Sequence, residues 1–310
     1  MIGSEDNRFQ GHFDGNGKTL TFNYNTPDEQ YTAPFRYVQG ATIENLHVDG
    51  TITTSKKFAA GLIANSAKSD NGTTIKNCRV SVTINSSVSG DGTHGGLVAN
   101  NTGGTLNIEG CVFDGKLLGD NTNNCAGFVG WNESRIDGVV NITNSLFAPA
   151  QTTMALQYTF SRSRGLYAVT LKNCYSLADL DNIQQVRAYS ISAGTGVSIV
   201  CNGTPKTYSV SGLEAYDTGM KFNDVLYATS GDELSLTLTK TAGAPEGDTF
   251  STTAGELVNT NGDTYTLTMA NSNAVINVDI LPVWSGSGSG VVSDPYIISS
   301  TENWNEFVEI

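Results

Sequence analysis

The sequence predicts an all-β chain: a β-solenoid followed by a compact β-sandwich. Three observations point there. A short phrase returns about every 33 residues, each copy carries a residue suited to a sharp corner, and helical periodicity is nearly absent. The phrase reads Ile43-Glu-Asn45-Leu46-His-Val48, then Ile75-Lys-Asn77-Cys78-Arg-Val80, then Ile108-Glu-Gly110-Cys111-Val-Phe113. Looser copies follow at Ile142-Thr-Asn144-Ser145-Leu-Phe147 and Leu171-Lys-Asn173-Cys174-Tyr-Ser176. Successive copies are spaced by 32, 33, 34 and 29 positions, counting from Leu46 to Cys174. A period of this size marks stacked units that cannot bury their apolar faces alone.

The phrase itself argues for bent coils. Ile75 and Cys78 stand three apart, so a straight strand would send them to opposite faces, whereas Cys78 and Val80 share one. Both apolar groups point inward only if the chain turns between them. Asn77 sits at the turn, and Asn tolerates the left-handed conformation a corner needs. Asn45, Asn144 and Asn173 take the same place, and Gly110 replaces them once. Stacking would set the amides in a ladder and pile Leu46, Cys78, Cys111, Ser145 and Cys174 in one interior column.

A second phrase alternates with the first and supplies another wall. It reads Ala60-Gly61-Leu62-Ile63-Ala64-Asn65, Gly95-Gly96-Leu97-Val98-Ala99-Asn100 and Ala126-Gly127-Phe128-Val129-Gly130-Trp131. A worn copy is read at Arg164-Gly165-Leu166-Tyr167-Ala168, with Leu62, Leu97, Phe128 and Leu166 as core. The polar stretches Ser66–Thr73, Ser86–His94 and Gly119–Asn124 read as projecting loops.

After Asp181 the phrase disappears. Strands are expected at Tyr189–Asn202, Lys206–Gly212, Met220–Ala228, Glu233–Lys240, Gly255–Thr260, Thr264–Met269 and Ala274–Leu281. Asn261-Gly262 between alternating runs signals a hairpin. Short strands in this number suggest a β-sandwich. Ser285–Gly290 reads as a flexible linker. Thr301–Val308 is the best helical candidate, with Thr301 as a cap and Trp304, Phe307 and Val308 at helical spacing.

The paired phrases resemble the GLUG-type repeats of bacterial surface proteins, found beside IgA-peptidase modules and in gut Bacteroidetes. Phe9-Gln-Gly11-His-Phe13-Asp14-Gly15-Asn16-Gly17-Lys-Thr19-Leu20 is similar to the segment that opens such arrays. Gly290-Val-Val-Ser-Asp294-Pro295-Tyr296-Ile297-Ile298 is similar to the start of a fresh array. Tyr265-Thr-Leu-Thr-Met269 resembles the ending of small all-β surface modules, departing where Ala270 stands for a proline. The resemblance covers about residues 1–180 and 290–310. It implies a right-handed parallel β-helix, secreted or on the cell surface, cut from a longer protein. The expected organisation is a solenoid over 1–182, a β-sandwich over 183–283, and a linker with a new array start over 284–310.

Composition narrows function. The net charge is −13, from 17 Lys and Arg against 30 Asp and Glu. Nucleic acid and anionic membrane surfaces need clustered cations, so both are excluded as partners. No apolar run approaches the roughly 20 residues that span a bilayer. Met1–Asp6 lacks the basic and apolar regions of a signal peptide, which is read as an upstream part lying before Met1.

Chemistry is sparse. Five cysteines form no C-x-x-C pair, and stacking favours buried free thiols. Coils stacked by about 5 Å would bring Cys78 and Cys111 within disulfide range, though with parallel Cβ vectors that oppose a bridge. His12, His47 and His94 lie in separate repeats, so no metal or cofactor is expected. Asp14-Gly-Asn16-Gly-Lys18 reads as a tight turn, because a calcium loop needs further oxygen ligands.

Asp49 and Asp114 occupy equivalent outward positions two coils apart, roughly 9–10 Å. That is near the upper range of carboxyl pairs in inverting glycosidases. The expectation is nonetheless a non-catalytic extracellular module, stalk or adhesin-like, contacting host or bacterial glycans or proteins. The alternative is a polysaccharide hydrolase or lyase using Asp49 and Asp114.

Overall fold

The computed structural model describes residues 1–310 except 26–27, 134, 136, 165–167, 181–183, 185, 207–209, 248, 280–285, 289–290 and 308–310. The chain is nearly all strand. It divides into two compact units, Met1–Tyr189 with Thr204–Thr229, and Ser190–Gly203 with Ser230–Ile310.

The first unit is a parallel β-solenoid of about five turns. Its broadest wall stacks His12–Asn25, Thr42–Thr54 and the broken strands of later coils in parallel. Phe13, Ile43, Ile75, Ile108, Ile142 and Leu171 follow one another rung by rung. The second wall stacks Phe35–Gln39, Ile63–Ala67, Val98–Asn101, Val129–Asn132 and Ser161–Ser163. Between the walls lies one continuous apolar core, in which Phe113 and Phe147 stack with ring centroids 5.8 Å apart. Burying each such side chain stabilises by roughly 1.5–3 kcal/mol.

The corners take the predicted form. Asn45, Asn77, Asn144 and Asn173 have φ of 53°, 51°, 51° and 52°, and Gly110 has 61°. The five column residues Leu46, Cys78, Cys111, Ser145 and Cys174 are all buried. The structure adds a reason for the thiols. Cys78, Cys111 and Cys174 each direct Sγ at the carbonyl two residues back, at 3.3, 3.3 and 3.4 Å. Ser145 Oγ donates to the carbonyl of Thr143 at 2.8 Å. The corner bends that carbonyl inward, and a small side chain with one donor satisfies it.

The amide ladder is real but interrupted. Asn77 Nδ2 donates to Asn45 Oδ1 at 3.2 Å, and Asn173 Nδ2 donates to Asn144 Oδ1 at 3.0 Å. Gly110 has no side-chain amide to offer, and Asn77 Oδ1 is buried without a hydrogen-bond partner. Gly110→Asn should close the gap at a φ that Asn tolerates. The expected gain is about 1 kcal/mol, a rise of ~2–4 °C in Tm on thermal melting. A lower Tm would refute the ladder as a source of stability.

Two expectations along the coil need correction. The stretches Ser86–His94 and Gly119–Asn124 are not projecting loops throughout. Gly90–Asp91 pairs in parallel with Thr122–Asn123, forming a short third wall, and Thr122 and His94 are fully buried. The proposed worn copy at 164–168 falls largely outside the described residues, Leu166 included. The register position it was assigned belongs to Phe160, which packs 5.1 Å from Phe128. Thr159 and Ser161 replaced the glycine and the apolar residue that marked earlier copies, so the phrase had lost its signal.

Residues 204–229, read from sequence with the second module, belong to the first compact unit. Leu213–Ala215, Met220–Phe222 and Val225–Thr229 form an antiparallel meander. Val210, Leu213, Met220 and Phe222 pack on Val112 and Leu146, which point outward from the broad wall.

In the second unit, Val197–Cys201, Glu233–Lys240, Thr264–Thr268 and Glu256–Asn261 make a four-stranded antiparallel sheet. Leu234, Leu236 and Leu238 alternate inward. The Asn261-Gly262 hairpin is present, with Asn261 paired to Thr264. Ala274–Val278 pairs in parallel with Ile191–Ala193 and antiparallel with Phe250–Thr252. The strand expected over Tyr189–Asn202 is split into Ala188–Ala193 and Val197–Cys201, with Gly196 at φ 72° between them. Half of the linker expected at 285–290 lies outside the described residues, and within the described half Ser287 forms an isolated antiparallel bridge with Ile297. The terminal helix spans Thr301–Phe307, with Val308 outside the described residues. Ser300 caps it instead of Thr301, because Ser300 Oγ accepts the Asn303 N–H at 3.1 Å.

Candidate functional site

The outward side chains of the broad wall form columns, just as the inward ones do. Thr19, His47, Arg79, Val112, Leu146 and Tyr175 occupy one such column, in register from rung to rung. Two residues further on, Ser81 and Asp114 follow Asp49 on the successive coils, because Ser81 N donates to the carbonyl of Val48 and Asp114 N to that of Val80. Asp49 and Asp114 thus stand two coils apart at equivalent outward positions, as their spacing predicts.

Their surroundings differ sharply. Asp49 is exposed, and its Oδ1 accepts the N–H of Gly50 at 2.7 Å. The Asp114 side chain is only 14% exposed and is clamped. Arg79 Nε and Nη2 donate to Oδ2 at 3.0 and 2.5 Å, and Ser81 Oγ donates to Oδ1 at 2.6 Å. Arg79 is held in turn from above. Its Nη1 donates to the carbonyl of Ser211 at 3.0 Å, and its guanidinium lies 5.2 Å from the Phe222 ring centroid. The meander over 204–229 thus fixes Arg79, and Arg79 fixes Asp114. An ion pair this desolvated, with two arginine donors on one carboxylate oxygen, holds its geometry strongly, since breaking it strands a buried charge.

His47 completes the row. Its Nε2 lies 2.8 Å from Ser81 Oγ and its Nδ1 lies 3.2 Å from Thr19 Oγ1. With Ser81 donating to Asp114, His47 must donate from Nε2 and accept at Nδ1. Burial pushes its pKa down, the Arg79 charge adds to the shift, and Asp114 and Asp49 oppose it. A hydrolytic triad puts the imidazole between hydroxyl and carboxylate, where it can take the hydroxyl proton. Here the hydroxyl stands in the middle and gives its hydrogen to a carboxylate already engaged by arginine. The order is wrong for an activated nucleophile. Both oxygens of Asp114 are engaged, Oδ2 by Arg79 and Oδ1 by Ser81, whereas a general acid or base needs an oxygen within reach of the proton it moves.

No family model, curated protein or solved structure matches the chain. The functional reading therefore rests on the residues themselves.

The remaining candidates resolve simply. Cys78, Cys111, Cys125, Cys174 and Cys201 are all free thiols. Burial pushes Cys125 up to about 11 and Cys174 up to about 12, and raises Cys111 well above the ordinary thiol range. Protonated thiols suit the donor role at the corners and not nucleophilic chemistry. Cys125 repeats the corner device in another part of the coil, following Asn124 at φ 55° and directing Sγ at the Asn123 carbonyl at 3.3 Å. The Asn-Cys pair was the signal that could have found it.

Asp14–Lys18 forms an irregular corner in the first coil. Asp14 Oδ1 accepts the Asn45 side-chain amide at 3.0 Å and the Asn16 N–H at 2.8 Å, and these bonds hold its pKa down. His12 pairs with Glu44 at 2.7 Å. His94 is buried, with Ala59 N donating to Nδ1 at 3.0 Å and Nε2 2.9 Å from Ser86 Oγ. Among the described residues, no group of three or more His, Cys, Asp or Glu could hold a metal ion. Among them, too, no helix is long and apolar enough to cross a membrane.

Proposed function

We infer that this chain is a non-catalytic module of an extracellular or cell-surface protein, stalk or adhesin-like, whose solenoid presents a broad face for protein or glycan contact. The observation that carries this reading is the clamp on Asp114. The pair best placed for glycoside chemistry has one member exposed and the other fully engaged by Arg79 and Ser81. Rigid stacking supports a spacer role, since each coil braces the next through backbone hydrogen bonds. Membership of the GLUG-type repeat family, a right-handed winding, a secreted location and a β-sandwich arrangement of the second unit all belong to the same proposal. The repeat phrases and the acidic surface support them.

The test pairs turnover with contact. The purified chain, incubated with a panel of neutral and acidic polysaccharides, should release no reducing ends above buffer. It should be retained on a glycan array or on immobilised surface proteins. Turnover that disappears in Asp49→Ala or Asp114→Asn would overturn the reading in favour of a hydrolase or lyase.

A further inference from the structure

A different face of the solenoid carries a built cleft of about 200 Å³. Its floor comes from successive coils: Lys57 and Phe58 at one corner, Asp91 and Thr93 at the next, with Trp131 and Arg162 from the second wall. Among the described residues, Asp91 is the one carboxylate lining it. Lys57 Nζ reaches Asp91 Oδ2 at 2.7 Å, Thr93 Oγ1 donates to Oδ1 at 2.7 Å, and Arg162 Nη1 lies 3.7 Å from Oδ1. Burial alone would raise the Asp91 pKa, but these donors and the two cationic charges outweigh it and hold it down.

Two cations therefore face one carboxylate that is already satisfied. Lys57 has three N–H donors and spends one on Asp91. Arg162 has five and spends one on the carbonyl of Asn124 at 3.1 Å. The surplus is of donors and of positive charge, on a chain whose net charge is −13. A ligand that fits must bring acceptors and negative charge. The walls add a second requirement. Arg162 stacks 4.6 Å from the Trp131 centroid, and Lys57 Nζ lies 5.3 Å from that of Phe58. Tyr31 stacks on Phe58 at 4.6 Å, nearly parallel, and Tyr37 follows at 5.4 Å. Phe58 and Trp131 line the cleft beside the two cations and give it an apolar edge, which suits the C–H side of a saturated ring. The volume lies below the roughly 300–1,000 Å³ of sites for drug-sized molecules, which suits one ring with its substituents.

The geometry points to a binding site for a carboxylate-bearing sugar residue of an acidic glycan, held by Lys57 and Arg162 and packed against Phe58 and Trp131. This assignment rests on the contact-module reading and gives it a location and a ligand class.

Titration calorimetry on the full chain with trigalacturonate and with 3′-sialyllactose tests it. Saturable binding of either probe is expected, and its methyl ester should bind about tenfold more weakly or worse. Lys57→Gln and Arg162→Gln should each weaken binding about tenfold or more, since each removes a charge-assisted contact. Lys57→Gln changes only a partly exposed side chain, so it remains readable if Arg162→Gln disturbs folding, which circular dichroism would report. Failure of both acids to bind would overturn the site, as would equal binding of the ester or indifference to both substitutions. Glycan-array retention that survives both variants would sink the cleft and leave the contact-module reading standing. Loss of all retention in the unmodified chain would sink both.

Discussion

Replacing Gly96 by Ala is expected to destabilise the solenoid by about 3 kcal/mol or more, lowering Tm by roughly 6–12 °C. The reason is the close approach of two walls. A Cβ on Gly96 would stand 2.2 Å from the carbonyl oxygen of Gly127 and 2.6 Å from Cδ2 of Phe113. Gly61 meets Val80 and the Gly96 carbonyl in the same way, and Gly127 meets Phe147 and the Thr159 carbonyl. The glycine of the second phrase is thus the floor on which the last apolar residue of the first phrase rests. Trimming the ring in a Phe113→Leu background should recover only part of the loss, because the carbonyl belongs to the neighbouring coil's backbone. Gly17→Ala provides the contrast. Its Cβ meets nothing within 4 Å, so only the φ of 68° is strained, at a cost of about 1 kcal/mol. Urea or thermal melts that rank Gly96→Ala no worse than Gly17→Ala would contradict this packing.

The second large effect is a loss of stability on acidification through His94. Burial pushes its pKa down to about 4, the Asp91 charge opposes the shift and the Lys57 charge adds to it. Nδ1 accepts the Ala59 N–H, so a second ring proton would face a donor where it needs an acceptor. In the unfolded chain an ordinary histidine takes its proton near pH 6.5. The folded state binds fewer protons than the unfolded one between these values, so stability is fully present above about pH 7 and falls as the pH approaches 4. A shift of this size corresponds to about 3 kcal/mol at the acid end, most of it gone by about pH 4.5. Carboxylates titrate in the same window, so the comparison is with His94→Gln. Urea unfolding at pH 7.5 and 4.5 should show the native chain losing about 2–3 kcal/mol more than the variant. Equal losses would remove His94 as the cause.

Much of the fold was legible because the solenoid repeats its constraints. Asn45, Asn77, Asn144 and Asn173 announced left-handed corners, and Cys78, Cys111 and Cys174 a column, since each coil solves the same steric problem with the same residues. What escaped was whatever the repeat does not dictate. Val112 and Leu146 are apolar on an outward face, which signals a covering, but the meander that covers them comes from residues 204–229, far along the chain and outside the repeat. Phe160 escaped because Thr159 had replaced the marker glycine. Lys57, Asp91 and Arg162 come from three different coils, at positions where the phrases are silent, so only stacking brings them together. Asp114 stands at the height on the wall that its spacing from Asp49 implies, and the outward placing of Arg79 near it is legible too, but their ion pair joins two rungs and shows only once those rungs are in register.

The meander over 204–229 has a mechanical meaning. Linear arrays come apart one unit at a time, since each coil feels only its nearest neighbours. A strap anchored to Arg79 on one rung and to Val112, Leu146 and Tyr175 on the next three ties four of them to a single fate. Fraying that starts at the first coil should therefore halt at the Arg79 rung, and everything beyond it should melt as one block.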